Sequence, residues 1–337
     1  MDPQKMVEAL MKPEAYDEKV TGGIKLIQTH ISWIFLTGKY AYKIKKPVNF
    51  GFLDFTTLES RRRYIELELE LNRRLCPGIY LAALPINEKD GALKIGGEGE
   101  AVEYALKMRQ VPQDRLMDRL LEKGKVGRKE IGAIAKMLAE FHSKAETSDE
   151  IAGFGGPEKL RINWEENFSQ VQPFVGQVIS MEDFDSAKKK IECFMEGSRA
   201  LFEKRAQQKR IRRIHGDLHS GNIFIISGKP CIFDCIEFNM RFSCLDTAAD
   251  VAFLSMDLDS RKQVELSGFL VDKYMHYSGD FEMIKLLGFY KCYYAWVRGK
   301  VTAFRLNENL DEESRRKIAE SSRKYFKLAL DYSRWLK

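Results

Sequence analysis

Asp217, Asn222 and Asp234 have the types and the spacing of a phosphoryl-transfer site. They lie in Ile214-His-Gly-Asp-Leu-His-Ser-Gly-Asn-Ile-Phe-Ile-Ile226 and Cys231-Ile-Phe-Asp-Cys-Ile-Glu237. In that chemistry one aspartate accepts or orients the proton of the attacking hydroxyl. An asparagine and a second aspartate hold the magnesium ions that bridge the nucleotide phosphates. Four residues separate Asp217 from Asn222, and the apolar run Ile223–Ile226 follows. The turn signal Ser227-Gly-Lys-Pro230 then predicts a hairpin that returns Asp234 toward Asn222. Each residue alone reads as a turn or cap residue; their conjunction carries the signal.

Such a site needs a lysine on a strand to grip the phosphates and a helical glutamate to hold that lysine. The alternating segment Tyr40-Ala-Tyr-Lys-Ile-Lys45 places Ala41, Lys43 and Lys45 on one face of a strand. Lys43 is assigned the role, with Lys45 as the alternative. The helix expected from Asp54-Phe-Thr-Thr57 through Arg74 offers Glu66, Glu68 and Glu70, which cannot all face inward. Its distance from the helix end favours Glu68, with Glu66 next. The loop Gln28-Thr-His-Ile-Ser32 would cover the phosphates with backbone amides and the hydroxyl of Thr29 or Ser32. It contains no glycine, so the protein-kinase Gly-rich motif is absent.

The surrounding elements follow from period and punctuation. Short strands near 24–28, 33–36, 40–45, 81–86, 92–95 and 102–108 predict an antiparallel sheet with one helix over residues 1–108. Residues 109–337 read as mainly helical: Ile131–Phe141, 183–209, and four helices from 246 to 335. The stretch 143–165, with Gly153, Gly155, Gly156 and Pro157, reads as a long connection. The expected class is α+β, a two-lobed protein-kinase-like fold.

Composition narrows the setting. Lys plus Arg number 55 against 49 Asp plus Glu, a net +6 that is mild for this length and no signature of nucleic-acid binding. No apolar run reaches membrane-spanning length, and no secretory h-region opens the chain. The six cysteines are scattered without metal-ligand spacing, so free thiols, a reduced protein and a cytoplasmic location are expected. Oligomeric state is not written in these features.

His-Gly-Asp-Leu-His-Ser-Gly-Asn at 215–222, Ile-Phe-Asp at 232–234 and Leu138-Ala-Glu-Phe-His142 resemble the aminoglycoside phosphotransferase-like small-molecule kinases. Thr29-His-Ile-Ser-Trp33, Ala41-Tyr-Lys-Ile-Lys-Lys-Pro47, Leu71-Asn-Arg-Arg-Leu75 and Ile236-Glu-Phe-Asn239 look like a bacterial subgroup of unassigned substrate. That subgroup sometimes carries a P-loop domain downstream; this chain has no G-x-x-x-x-G-K-[ST] and is expected to lack one. The resemblance implies Asp217 as catalytic base, Asn222 and Asp234 as magnesium ligands, and Met108, Arg109 and Val111 as the hinge strand meeting the adenine. It also implies ATP, with GTP as the other nucleotide, and Asp250 as the support behind the catalytic loop.

Gly216 stands where protein kinases have arginine, and about a dozen residues separate Asp234 from Asp246, too few for a peptide-binding activation segment. A small-molecule hydroxyl acceptor is therefore expected, with a protein Ser/Thr kinase or a nucleotide-binding pseudokinase-like regulator as alternatives. Tyr294, Arg298 and Arg305, with Lys291, recur at helical spacing and point to an acceptor that is anionic or neutral rather than an aminoglycoside.

Overall fold

The computed structural model describes residues 2–51 and 53–336, arranged as two compact units. One holds the chain up to Arg119 together with Cys231–Asn239; the other holds Leu120–Pro230 and Met240 onward.

In the first unit, α1 (Pro3–Leu10) precedes β1 (Lys25–Gln28), β2 (Ser32–Leu36) and β3 (Tyr40–Lys45). Then come α2 (Leu58–Arg73), β4 (Tyr80–Lys89), β5 (Ala92–Ile95) and β6 (Glu100–Arg109). The six strands form one antiparallel sheet in the order β1-β2-β3-β6-β4-β5. Alternation along β3 sends Tyr42 and Ile44 into an apolar cluster with Phe35, Ile86 and Met6 and Leu10 of α1. It sends Ala41, Lys43 and Lys45 to the other face. Helix α2 starts where the Thr57 side chain accepts from Ser60 N–H. Its buried stripe, Arg61, Ile65, Glu68 and Asn72, follows the helical period but is mostly polar. Each polar member is paired: Arg61 with Glu103 at 2.8 Å, Glu68 with Lys43 and Lys45, and Asn72 with the Cys235 amide at 2.9 Å.

The cysteines correct an expectation. Cys76, just past α2, and Cys231 are joined as a disulfide with their Cα atoms 5.0 Å apart. Their separation of 155 residues hides the pair from any spacing rule. Cys193, Cys235, Cys244 and Cys292 are free. Thiol titration of the unfolded protein without reductant should therefore count four reactive groups, and a count of six would refute the bond.

After α3 (Met117–Glu122), the second unit runs through α4 (Arg128–Lys144), α5 (Asp149–Gly153), α6 (Pro157–Val171), α7 (Met181–Gly197) and α8 (Arg199–Gln207). The long connection expected at 143–165 is thus mostly helix. Gly156 serves as N-cap and Pro157 as first helical residue, so these turn formers start α6 instead of prolonging a loop. Likewise the single helix expected at 183–209 breaks at Ser198.

Strand β7 (Ile211–Arg213) precedes the loop bearing Asp217, and β8 (Ile223–Ile226) follows it. Ser227 and Gly228, both at positive φ, turn the chain into β9 (Lys229–Ile232), the partner of β8. Then come α9 (Met240–Ser243), β10 (Cys244–Asp246), α10 (Thr247–Ser260), α11 (Val264–Ser278), α12 (Ile284–Phe304) and α13 (Glu312–Ser333). Strand β10 pairs antiparallel with β7, and α10 is buried from Thr247 to Leu258. The Arg205 guanidinium, fully buried, forks between Asp246 and Asp280 at 2.5–2.8 Å. The strand that leads into the loop carrying Asp217 is thereby anchored to this core. No helix among the described residues is long and apolar enough to cross a membrane.

Candidate active site

In the first unit, β3, α2 and the segment 231–239 assemble a chain of alternating charge. Lys43 Nζ donates to Glu68 Oε1 at 2.7 Å and to Asp234 Oδ1 at 2.9 Å. Lys45 Nζ donates to Glu68 Oε2 at 2.7 Å and to Glu237 Oε1 at 2.5 Å. The order Asp234–Lys43–Glu68–Lys45–Glu237 leaves no like charges in direct contact. Lys45 and Glu68 are fully buried.

Burial alone would neutralise both lysines, but Asp234 and Glu68 beside Lys43, and Glu237 and Glu68 beside Lys45, hold each above its usual value. Burial would also raise the Glu68 carboxyl; two lysines overcome that and hold it low. Glu237 has one lysine and faces the charge of Glu68, so burial wins and its carboxyl is raised. Both lysines therefore take part, and Glu68 is their common partner. Glu66 pairs instead with Arg62 on the exposed side of α2.

Asp234 has φ +66°, a left-handed conformation that costs a non-glycine residue energy and marks functional positions. Its amide donates to the Tyr80 hydroxyl at 3.1 Å, and its side chain is 47% exposed, leaving Oδ2 accessible. Ser32 is buried and its hydroxyl has no partner among the described residues, while the Thr29 hydroxyl accepts from the amides of Ile31 and Ser32. Met108 and Arg109 end β6, in register with Ala41 and Tyr40. The Arg109 amide is taken by the Ile79 carbonyl, and Val111 lies two residues beyond the strand.

In the second unit, the loop after β7 is held from behind by Asp250 of α10. Its two carboxylate oxygens accept from the His215 amide at 2.8 Å and the Gly216 amide at 2.9 Å. His142 Nε2 lies 3.1 Å from the same carboxylate. Gly216 sits at φ +84°, a conformation in which an L side chain is strained, which accounts for the glycine before Asp217. His215 is buried, and its Nδ1 accepts from the Asp217 amide at 3.2 Å. Asp257, one turn of α10 farther on than Phe253, accepts from the Ser220 amide at 2.9 Å.

Asn222 Nδ2 donates to both the carbonyl and Oδ2 of Asp217, each at 3.0 Å. With its amide nitrogen so committed, the carbonyl oxygen is what the Asn222 side chain has left to offer a ligand. His219 Nε2 lies 3.7 Å from Asp217 Oδ2. Burial would raise the Asp217 carboxyl, but His219, His215 and Arg298 outweigh it and hold the carboxyl well below the usual range.

Asp217 and Asn222 thus meet in one unit, and Lys43, Glu68 and Asp234 in the other. The roles of Lys45 and Glu237 in the charge chain were not legible beforehand. Lys45 stood only as an alternative to Lys43, and Glu237 belonged to a recognisable segment without an assigned task.

No family model matches the chain. Its architecture is shared with a choline/ethanolamine kinase family protein from Mesorhizobium loti, 12% identical, covering 98% of this chain and 99% of that one at a TM-score of 0.57. The GDP complex of aminoglycoside 2'-phosphotransferase-IIIa is 14% identical over 96% of this chain and 98% of that one, at a TM-score of 0.53. This chain has the aminoglycoside-phosphotransferase-like kinase fold. An uncharacterized protein of Mycobacterium tuberculosis is 31% identical over 289 residues, 86% of this chain and 56% of that protein. The chain thus spans about half the length of the curated relatives it matches.

Proposed function

We propose that this protein transfers the γ-phosphoryl group of ATP to a hydroxyl of a small molecule. The observation that carries the reading is Lys43, half-buried between Glu68 and Asp234 and held charged by them although desolvation disfavours it. A lysine so placed can give one bond to a phosphate oxygen and keep Glu68 as its anchor. The GDP held by one protein of similar fold keeps GTP open as a second donor.

Magnesium fits the donor set. The Asn222 amide oxygen and the Asp234 carboxylate are hard oxygen ligands, each with an accepting oxygen to offer. When bound, magnesium would neutralise charge on the phosphates.

Asp217 receives the acceptor hydroxyl as a hydrogen-bond donor. The hydroxyl oxygen attacks the γ-phosphorus, the bond from that phosphorus to the β,γ-bridging oxygen breaks, and the proton passes to Asp217. The products are a phosphate monoester and ADP. Because the Asp217 carboxyl is held low, it orients the nucleophile and takes the proton late, as a loose transition state requires.

Calorimetry with ADP tests the metal role. Asp234→Ala should weaken Mg·ADP binding by about tenfold or more. With EDTA present, the parent and the variant should bind ADP alike. Equal affinities in magnesium would overturn the assignment.

A further inference from the structure

Buried polar groups in a folded protein are almost always paired. On α12, two that lie one turn apart are not: Tyr294 Oη and Arg298 Nε have no partner among the described residues. Tyr294 is 3% exposed, and its ring stacks on Phe253 at 4.0 Å between centroids. Phe253 in turn lies 5.6 Å from the His219 ring, and His219 is 3.7 Å from the Asp217 carboxylate. This chain of contacts, all within the second unit, puts that face of α12 beside Asp217. Arg298 is near enough for its charge and that of Asp217 to stabilise each other, yet it forms no ion pair with any carboxylate among the described residues.

The other cations of α12 are committed. Lys291 pairs with Asp259 at 2.5 Å, and Lys300 donates to the amide oxygens of Asn167 and Gln170 at 2.6 and 2.7 Å. Asp257, the nearest other acid, already accepts from the Ser220 amide and from Arg261. The Arg298 guanidinium lies over the Tyr325 ring at 5.6 Å and also bonds the Tyr325 side chain, a neutral partner that leaves its charge without a paired carboxylate. Tyr325 also lines a cavity of about 450 Å³ in which Arg261, Lys262, Lys324 and Lys327 outnumber Asp259 and Asp331, a basic excess that disfavours a polycation.

A partly buried guanidinium without an acid is costly, and its planar fork matches carboxylate and phosphate oxygens. We propose that Arg298, with the Tyr294 hydroxyl, binds an anionic group on the acceptor, so that the molecule phosphorylated is a hydroxy acid or a phosphate-bearing alcohol. This rests on the phosphotransferase reading above. Arg298 is then a specificity residue: it holds the acid while Asp217 takes the proton of the hydroxyl on the same molecule.

Two measurements on the full chain test it. Without nucleotide, D-glycerate and inorganic phosphate are titrated by tryptophan fluorescence or NMR. Arg298→Gln should weaken binding of the preferred anion by about 10- to 100-fold, and Arg298→Lys should restore part of it. Which of the two anions binds tells carboxylate from phosphate. With Mg·ATP, matched pairs (D-glycerate and glycerol, gluconate and glucose, glucose 6-phosphate and glucose) are compared for ADP release and product mass. The acidic member should be preferred, and Arg298→Gln should raise its KM far more than it lowers kcat. Equal anion binding by parent and Arg298→Gln, or turnover confined to neutral or cationic acceptors, would overturn the proposal. Failure of the parent to bind Mg·ATP would instead remove the phosphotransferase reading and leave an Arg298-dependent anion site standing.

Discussion

Asp217→Ala is expected to lower kcat by about 100- to 10,000-fold, the range that a positioned proton acceptor contributes. Its affinity for Mg·nucleotide should remain that of the parent. The separation of the two effects follows from the local hydrogen bonds. Asn222 Nδ2 donates to the Asp217 backbone carbonyl as well as to the carboxylate, each at 3.0 Å. Removing the side chain leaves the backbone bond, so the Asn222 oxygen keeps its orientation. The loop itself stays pinned by Asp250 through the His215 and Gly216 amides. ADP release, with water or an added alcohol as acceptor, reads kcat, and calorimetry reads affinity. A variant that loses nucleotide binding in step with turnover would contradict this division of roles.

The second large effect concerns stability. Lys45→Met should destabilise the protein by about 3–5 kcal/mol, because removing one partner of a buried ion pair leaves uncompensated charge. Lys45 is the partner of both Glu68 and Glu237, and all three are buried. Without it Glu237 loses its cation while Glu68 keeps only Lys43. Methionine is unbranched like lysine and fills much of the same space, but it removes the ammonium from its ion pairs and from the Phe55 ring, 4.8 Å away, so the loss is mainly electrostatic. The double variant Lys45→Met, Glu237→Met should be less destabilised than the single one, since the orphaned carboxylate leaves with its cation. Urea midpoints of the two variants decide the matter. A double variant that is the weaker of the two would show that the pair does not act as a unit.

Much of the loop that carries Asp217 is readable in order along the chain because its geometry is local. Asp217 and Asn222 are five positions apart and meet directly. Gly216 occupies a left-handed position that the loop itself imposes. Strand period likewise puts Lys43 and Lys45 on one face, and helix period shows that the α2 glutamates cannot share one face. Turn formers are read less well. Gly156 and Pro157 suggest a loop when counted as breakers and a helix start when read as N-cap and first residue.

What the sequence determined by itself is the fold class, through the two hydrophobic periods, and which residues to propose for phosphoryl transfer, through residue types at fixed short spacings. Only the tertiary structure decided which glutamate meets the lysines, that two lysines share it, and that Glu237 closes the charge chain. It also decided that Cys76 finds Cys231 and that Arg298, near Asp217, forms no ion pair with a carboxylate among the described residues. The physical reason is range. Periodicity says which way a side chain points, but an ion pair, a disulfide or an unpaired guanidinium is settled by what lies across the gap, on an element that the local sequence does not encode.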